Sequence, residues 1–344
     1  MNNKKKTLAF VDLSIHQVTK STTFIIDLFK KDFDVVCVWY DYGPGEDEFI
    51  KEISKHDNIF LLQILLPYNA LIRLQQAKKN IVWAPMYDGL PMSYYYWEKI
   101  ASTKIKILSF SGGIDNVCKK HNIDYLPVRY YKKPAAEMDS LQKDKFTFYF
   151  WYRGSVKVND WIHLIPMDHV EKIYYYSAPL GQNFQDEVIT ATEEAEYKIE
   201  KIALQAFSAD RNIFLEYLQK SDVFICPRKQ DGIGNPLIEA ISLGKFIIGN
   251  NDYTMKDYIK HNENGFIYSK DSQEQISIPV IKASKEYRVK FAYDGYEKWK
   301  SDEKKIGGMY SSFTFERIGK RSLKVLSITA YEFAKGILKK ILKK

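Results

Sequence analysis

Residues 221–249 read S-D-V-F-I-C-P-R-K-Q-D-G-I-G-N-P-L-I-E-A-I-S-L-G-K-F-I-I-G, a pattern of strand, loop, helix and strand. Val223, Phe224, Ile225 and Cys226 form a short apolar run that stops at Pro227, as a buried parallel strand does. A polar loop follows, carrying Gly232 and Gly234. Pro236 suits the first residue of a helix, because the N–H it lacks would have no partner there. Leu237, Ile238, Ala240, Ile241 and Leu243 give that helix an apolar side, and Gly244 is placed to end it. Phe246, Ile247 and Ile248 return as the next strand.

This order of elements has a chemical use. Glycines let backbone approach a ligand closely, and the first N–H groups of the helix point outward without helical partners. That end carries partial positive charge and suits a phosphate. Asp231 precedes the turn and Glu239 stands eight positions later, one turn into the helix. Carboxylates suit sugar hydroxyls because each accepts more than one hydrogen bond. Taken alone, the two acids read as a loop residue and a solvent-facing helix residue. The surrounding strand–turn–helix–strand pattern favours a ligand site.

The spacing acid, seven residues, acid, around a glycine turn and a proline-started helix, resembles the donor-binding signature of the group 1, or family-four, retaining glycosyltransferases. The S-D-V-F approach at Ser221 to Phe224, the G-K-F-I-I segment at Gly244 to Ile248 and the E-N-G-F-I-Y turn at Glu263 to Tyr268 fit the same resemblance. Both acids are usually Glu in that family, whereas the first here is Asp231. The resemblance implies the GT-B fold: an α/β protein of two Rossmann-like domains facing each other across a cleft, with C-terminal helices. It implies a catalytic pair, in which Asp231 holds sugar hydroxyls and Glu239 holds the ribose of a nucleotide-diphosphate sugar. Gly232, Ile233, Gly234 and Asn235 would meet that donor with backbone amides. No cofactor and no metal are expected. The leaving phosphate itself is thought to help deprotonate the acceptor in such enzymes.

A second loop supports this expectation. Phe146 to Tyr152 is strongly β-prone and runs directly into Arg153-Gly154-Ser155-Val156-Lys157. Two cations around a glycine at a strand's carboxyl end make a diphosphate clamp: Arg grips two oxygens and Lys adds a compact charge. The position resembles the G-R…K loop of the same family, although here the glycine follows the arginine. The plainer reading is an exposed loop with two solvated cations.

A chain of 344 residues points to about two domains. Hydrophobic content of 45% and charged content of 27% are ordinary for a globular protein. Cys37, Cys118 and Cys226 are scattered without ligand spacing, which fits a reducing compartment and not a metal site. Asp12 interrupts the first apolar run too early for a signal peptide, and no run approaches the roughly 20 residues of a membrane span. A cytoplasmic protein is expected. The net charge of +8 is concentrated in the last 30 residues, which favours a surface-docking tail over a nucleic-acid groove. Nucleic acid is not an expected partner.

From the N-terminus, strands are expected at Thr7 to Leu13, Asp34 to Tyr40, Ile59 to Leu66, Ile81 to Ala84, Ile105 to Phe110 and Tyr125 to Tyr131. Helices are expected at Phe24 to Phe29, Tyr68 to Lys78 and Met92 to Ser102, an alternation that builds a doubly wound sheet. Ligands collect at the carboxyl ends of such strands. Three loops qualify: Asp12 to Ser21 with His16, Pro85 to Gly89 with Asp88, and Ser109 to Gly113, where Ser111 can cap the next helix. Family members often carry a glycine-rich loop at the first of these, and this chain does not. His16 and Asp88 read equally well as ordinary polar loop residues.

The domain boundaries are expected at 1–131, a polar linker at 132–144, a nucleotide-sugar domain at 145–280 and a helical segment at 281–344. Further strands are expected at Glu171 to Ser177 and Ile202 to Phe207, and helices at Asp210 to Leu218, Tyr253 to Ile259 and Ile281 to Trp299, the last a candidate to cross back onto the first domain. Gly307-Gly308 reads as a break. Leu323, Leu326, Ala330, Phe333, Ile337, Ile341 and Leu342 then mark an apolar stripe, and Lys335, Lys339, Lys340, Lys343 and Lys344 crowd its end. A basic amphipathic helix of this kind can lie on an anionic membrane surface or pack on the protein. The function expected is transfer of a sugar from a nucleotide-diphosphate sugar to a saccharide or lipid-linked saccharide, in surface polysaccharide synthesis. The alternatives are a GT-B epimerase or phosphorylase and a non-catalytic nucleotide-sugar-binding protein.

Overall fold

Apolar runs with no polar alternation belong in strands covered on both faces, and here they pair in parallel throughout. The computed structural model describes residues 5–41, 45–90, 93–135, 143–177, 186–202, 211–283, 285–311 and 313, with the backbone alone at 211. The chain divides into two units, Met1–Val128 with Glu303–Lys344, and Arg129–Asp302.

The first unit runs β1 (Lys6–Asp12), α1 (Ile15–Thr19), α2 (Thr23–Lys30), β2 (Phe33–Trp39), α3 (Glu46–Ile53), β3 (Asn58–Leu62), α4 (Tyr68–Gln76), β4 (Asn80–Ala84), α5 (Tyr94–Ser102), β5 (Lys106–Ser109), α6 (Gly112–His121) and β6 (Tyr125–Pro127). The sheet order is β2-β1-β3-β4-β5-β6. Successive residues of a strand face opposite ways, so β1 serves two layers. Phe10 stacks on Phe60 at 5.3 Å, with Phe29 of α2 against Phe60 at 4.7 Å. Its neighbours Ala9 and Val11 join a separate apolar cluster with Trp83 and Trp97. Ser111 caps α6 as expected, its hydroxyl accepting the Gly113 N–H at 3.2 Å. Gly113 has no room for a side chain: a Cβ there would lie 2.3 Å from the Tyr87 ring.

The second unit runs β7 (Phe146–Tyr152), β8 (Val170–Ser177), α7 (Ala191–Glu196), β9 (Ile199–Ile202), α8 (Arg211–Lys220), β10 (Val223–Ile225), α9 (Asn235–Ser242), β11 (Phe246–Asn250), α10 (Tyr253–Tyr258), β12 (Gly265–Tyr268), α11 (Ile278–Ala283) and α12 (Lys285–Gly308). Its sheet order is β12-β11-β10-β7-β8-β9. The chain therefore winds one way from β7 through β9 and the other way from β10 through β12. The direction reverses between β7 and β10, which lie side by side with Ile225 opposite Phe150. Phe148, Phe150, Ile225 and Ile248 are buried in one apolar core.

Several boundaries differ from those expected, each for a local reason. β3 stops at Leu62 and not Leu66, because Gln63 takes a left-handed φ of +51° that turns the chain out of the sheet. β6 ends at Pro127, and Arg129 to Ala135 already belong to the second unit. They are tied there by an Arg129–Asp257 ion pair at 2.9 Å, Tyr131 against Tyr258 at 5.2 Å, and the Ala135 N–H donating to the Ser242 carbonyl at 2.9 Å. The strand expected at Ile202 to Phe207 is β9, which begins at Ile199 and pairs Ile173 with Ile199; residues 203–207 lie outside the described residues. Helix α9 starts at Asn235, so Pro236 is its second residue and Gly234, at φ +70°, stands before it. Gly244 follows that helix at φ +65°, ending it as expected. Gly307 and Gly308 do not break the chain but close α12.

Residues Glu303 to Ser311 pack within the first unit. Lys31 pairs with Glu303 at 2.6 Å, the Lys106 ammonium donates to the Met309 carbonyl at 3.0 Å, and the Tyr310 hydroxyl donates to the Ile59 carbonyl at 3.0 Å. Residues 136–142 of the expected linker and the basic tail from 314 onward lie outside the described residues. Among the described residues no helix is long and apolar enough to cross a membrane.

Candidate functional site

The place where a doubly wound sheet reverses direction opens a crevice at the carboxyl ends of two neighbouring strands. In the second unit those strands are β7 and β10, and the two loops singled out in the sequence leave them side by side. The loop after β7 begins with Arg153, whose guanidinium lies 4.5 Å from the centre of the Trp151 ring, a stacking that fixes its plane. Gly154 takes φ +81°, turning the chain back. The Ser155 hydroxyl then donates to the Pro227 carbonyl at 3.2 Å, joining this loop to the end of β10. Val156 is buried and anchors the loop, which leaves Lys157 exposed.

Two acids outside the sequence reading hold that loop in shape. The Lys157 N–H donates to Asp160 at 2.8 Å, and the Val158 N–H donates to Glu187 at 3.0 Å. Burial raises the Glu187 carboxyl above the usual range, against the opposing effects of the Val158 N–H and Lys157.

The loop after β10 carries the expected turn. Gly232, Ile233 and Gly234 are buried, and Asn235 and Pro236 are partly exposed. One Asp231 carboxylate oxygen accepts the Gly232 N–H at 2.9 Å. The other lies at the helix start: a Cβ on Gly234 would stand 3.6 Å from it. The turn is braced from behind by the Thr254 hydroxyl, which donates to the Asp231 carbonyl at 2.6 Å. Burial pushes the thiol of neighbouring Cys226 well above its usual range.

Glu239 sits in the middle of α9 with its side chain 5% exposed, and the Lys132 ammonium approaches it at 3.4 Å. That lysine comes from the stretch expected as linker. A buried carboxylate needs a cation or several donors to stay ionised, and Lys132 is one such partner.

The structure thus brings Arg153, Ser155 and the 227–235 turn to one strand-end crevice, with Lys157 on the same loop. It adds two cations that the sequence reading passed over as loop residues. Arg228 lies 3.8 Å from Asp231, and Lys229 lies 4.0 Å from Asp160. They stand in the polar run between Pro227 and Asp231, and only the sheet order reveals that this run leaves β10 beside the loop after β7.

In the first unit the direction reverses between β1 and β3. His16, expected in a loop, is on the short helix α1 and meets Asp12 and Gln63 there, with its Nδ1 2.8 Å from Asp12. Asp88 is exposed in a single helical turn after β4.

With this geometry in hand the class is clear: two parallel six-stranded α/β sheets. Solved structures share it across nearly the whole chain. A glycosyltransferase from Rickettsia africae matches at TM-score 0.59 and 13% identity, covering 89% of this chain and 98% of its own. The HepE protein of Anabaena, solved with UDP and glucose, matches at 0.57 and 11%, covering 90% and 100%. A sucrose-phosphate synthase from Thermosynechococcus elongatus matches at 0.55 and 10%, covering 89% and 98%. No curated protein matches. Residues 181–298 match the family model described as Glycosyl transferases group 1, a span that includes the glycine turn, α9 and both acids. Residues 181–298 of the second unit are thus similar to a group 1 glycosyl transferase domain, and the chain has the two-sheet α/β architecture of the GT-B fold.

Proposed function

We propose that this protein moves a sugar, with retention of anomeric configuration, from a nucleoside diphosphate sugar to a saccharide or lipid-linked saccharide acceptor. One observation carries the reading. Two segments about seventy residues apart, 153–157 and 227–235, meet at the reversal point of the second sheet through the Ser155–Pro227 hydrogen bond. One brings cations and the other brings helix-start amides, which together suit a diphosphate. Two similar structures, both of the Anabaena protein, hold UDP, which supports a uridine nucleotide as the first donor to try.

In this reading Arg153 and Lys157 grip the diphosphate and stabilise the charge that grows as it leaves. Arg228 extends the same positive field. These cations and amides do the work a metal would do elsewhere, so the reaction runs without one. Asp231 receives sugar hydroxyls at the helix start. Glu239, beside Lys132, receives the ribose. The leaving phosphate takes the acceptor proton. The setting is cytoplasmic, with the basic tail on the inner face of the membrane, and the product is a surface polysaccharide.

Glu239→Gln keeps the size of the side chain and removes its charge. Turnover with the best donor of a UDP-, GDP- and ADP-sugar panel should fall about 100-fold, as when a transition-state contact is lost. The melting temperature should stay within a few degrees. Turnover within threefold of the parent would remove Glu239 from the machinery.

A further inference from the structure

The loop that carries Asp231 is held from the β11 side by two polar side chains. Thr254 in α10 is fully buried, and its hydroxyl donates to the Asp231 carbonyl at 2.6 Å. Its own N–H is fixed in turn by Asp252, whose carboxylate accepts it at 3.2 Å. Asn250, the last residue of β11, donates from Nδ2 to the Lys229 carbonyl at 2.5 Å. Among the described residues the Asn250 Oδ1 is buried without a hydrogen-bond partner. An orphaned acceptor costs stability, so stability alone does not account for an amide at this position.

Both bonds set direction. A trans peptide holds its N–H antiparallel to its C=O. Carbonyls drawn to Asn250 and Thr254 therefore turn the Gln230 and Gly232 N–H groups away from β11, and β7 with the Arg153 loop lies on that far side of β10. The Gly232 N–H is the donor that one Asp231 carboxylate oxygen, Oδ1, accepts at 2.9 Å. That bond fixes the carboxylate and sets Oδ2 at the helix start, 3.6 Å from where a Gly234 Cβ would stand. An Asp has one torsion fewer than a Glu, so its carboxylate follows its backbone closely. Thr254 thus acts on the Asp231 carboxylate through a single peptide unit.

We propose that Thr254, seconded by Asn250, is a positioning residue that directs the Asp231 carboxylate at the sugar half of the donor. This rests on the glycosyl-transfer reading for the ligand, and on the hydrogen bonds of the second unit for the aim of Asp231. Asp231 touches the sugar, while Thr254 and Asn250 act through it.

The probes are whichever of UDP, GDP and ADP binds the full chain most tightly, and its glucose conjugate, with affinities from calorimetry. Thr254→Val keeps the shape of the side chain and removes the hydroxyl. It should weaken binding of the glucose conjugate about tenfold, the worth of one hydrogen bond to a charged group, and leave the free nucleotide within about twofold. Thr254→Ser keeps the hydroxyl and should restore the glucose conjugate to within about threefold of wild type. Asn250→Ala should move the affinities the same way by a smaller factor. If the valine variant does not fold, Thr254→Ala gives the same comparison. A Thr254 that only stabilised the fold would weaken both probes together. Equal loss of both probes, no loss of the glucose conjugate, or no rescue by serine overturns the proposal, as does a wild type that binds the nucleotide but not its glucose conjugate. A wild type that binds none of the three nucleotides counts against the donor site itself and takes this inference with it.

Discussion

Replacing Arg153 and Lys157 together by alanine should weaken nucleoside diphosphate binding roughly 100-fold. The estimate takes about 1.4 kcal/mol from each cation, the low end for hydrogen bonds to charged groups, because Lys157 is exposed and screened by solvent. Arg153 should supply the larger share. Its guanidinium is already oriented by Trp151, so less freedom is lost on binding. Affinity measured by calorimetry at two salt concentrations separates the parts, since the Lys157 contribution should shrink more as salt rises. Lys282→Ala serves as a control, because that exposed lysine pairs with Asp144. A double variant that binds the nucleotide as tightly as the parent would mean that this loop is only a loop.

The second large effect is on stability. Gly265 opens β12 with no space beside it: a Cβ would lie 2.3 Å from the Ile247 backbone oxygen and 2.9 Å from Ile259. A flexible side chain could give way, but a strand carbonyl in a parallel ladder cannot without breaking the β11–β12 pairing. Gly265→Ala should therefore cost about 3 kcal/mol, the upper end of overpacking. That corresponds to a fall in melting temperature of roughly 10 °C for a unit of this size. Gly308→Ala, where nothing stands within 4 Å, should change it little and gives the baseline. Equal melting temperatures for the two variants would contradict the close approach of these strands.

The glycine-turn region was legible in the sequence because each local signal pointed the same way. Val223 to Ile225 had no polar residue to leave them a wet face, Gly244 could take a left-handed conformation, and Ser111 offered a hydroxyl where α6 needed one. The Phe146–Tyr152 strand was read to the residue for the same reason. Elements with mixed signals were missed. Glu46–Ile53 is a helix whose buried face, Phe49, Ile50 and Ile53, is only three residues wide among charges. The end of β3 turned on Gln63, whose left-handed conformation no propensity suggests. Gly307 and Gly308 are helical at the end of α12 despite their poor helix propensity, and a Cβ on Gly307 would stand 2.6 Å from the Asp32 carboxylate.

Site residues divide along the same line. Asp231, Glu239, Arg153 and Lys157 stood in recognisable local patterns. Arg228 and Lys229 did not, because only the pairing of β10 with β7 brings their segment beside the Arg153 loop. Asp12, His16 and Gln63 are the extreme case. Gln63 stands 51 positions from Asp12, and only the β1–β3 pairing brings them together. Lys132, read as linker, is folded onto Glu239 by the Arg129 and Tyr131 contacts around it.

The most direct test titrates the full chain with UDP, GDP and ADP, and then with the monophosphate of whichever binds most tightly. If the cation loop and helix start bind the diphosphate as proposed, the diphosphate should bind at least tenfold more tightly than the monophosphate, about 1.4 kcal/mol. That preference should vanish in the Arg153→Ala/Lys157→Ala variant. Equal affinity for diphosphate and monophosphate, or no binding of any of the three nucleotides, would contradict the site at the ends of β7 and β10.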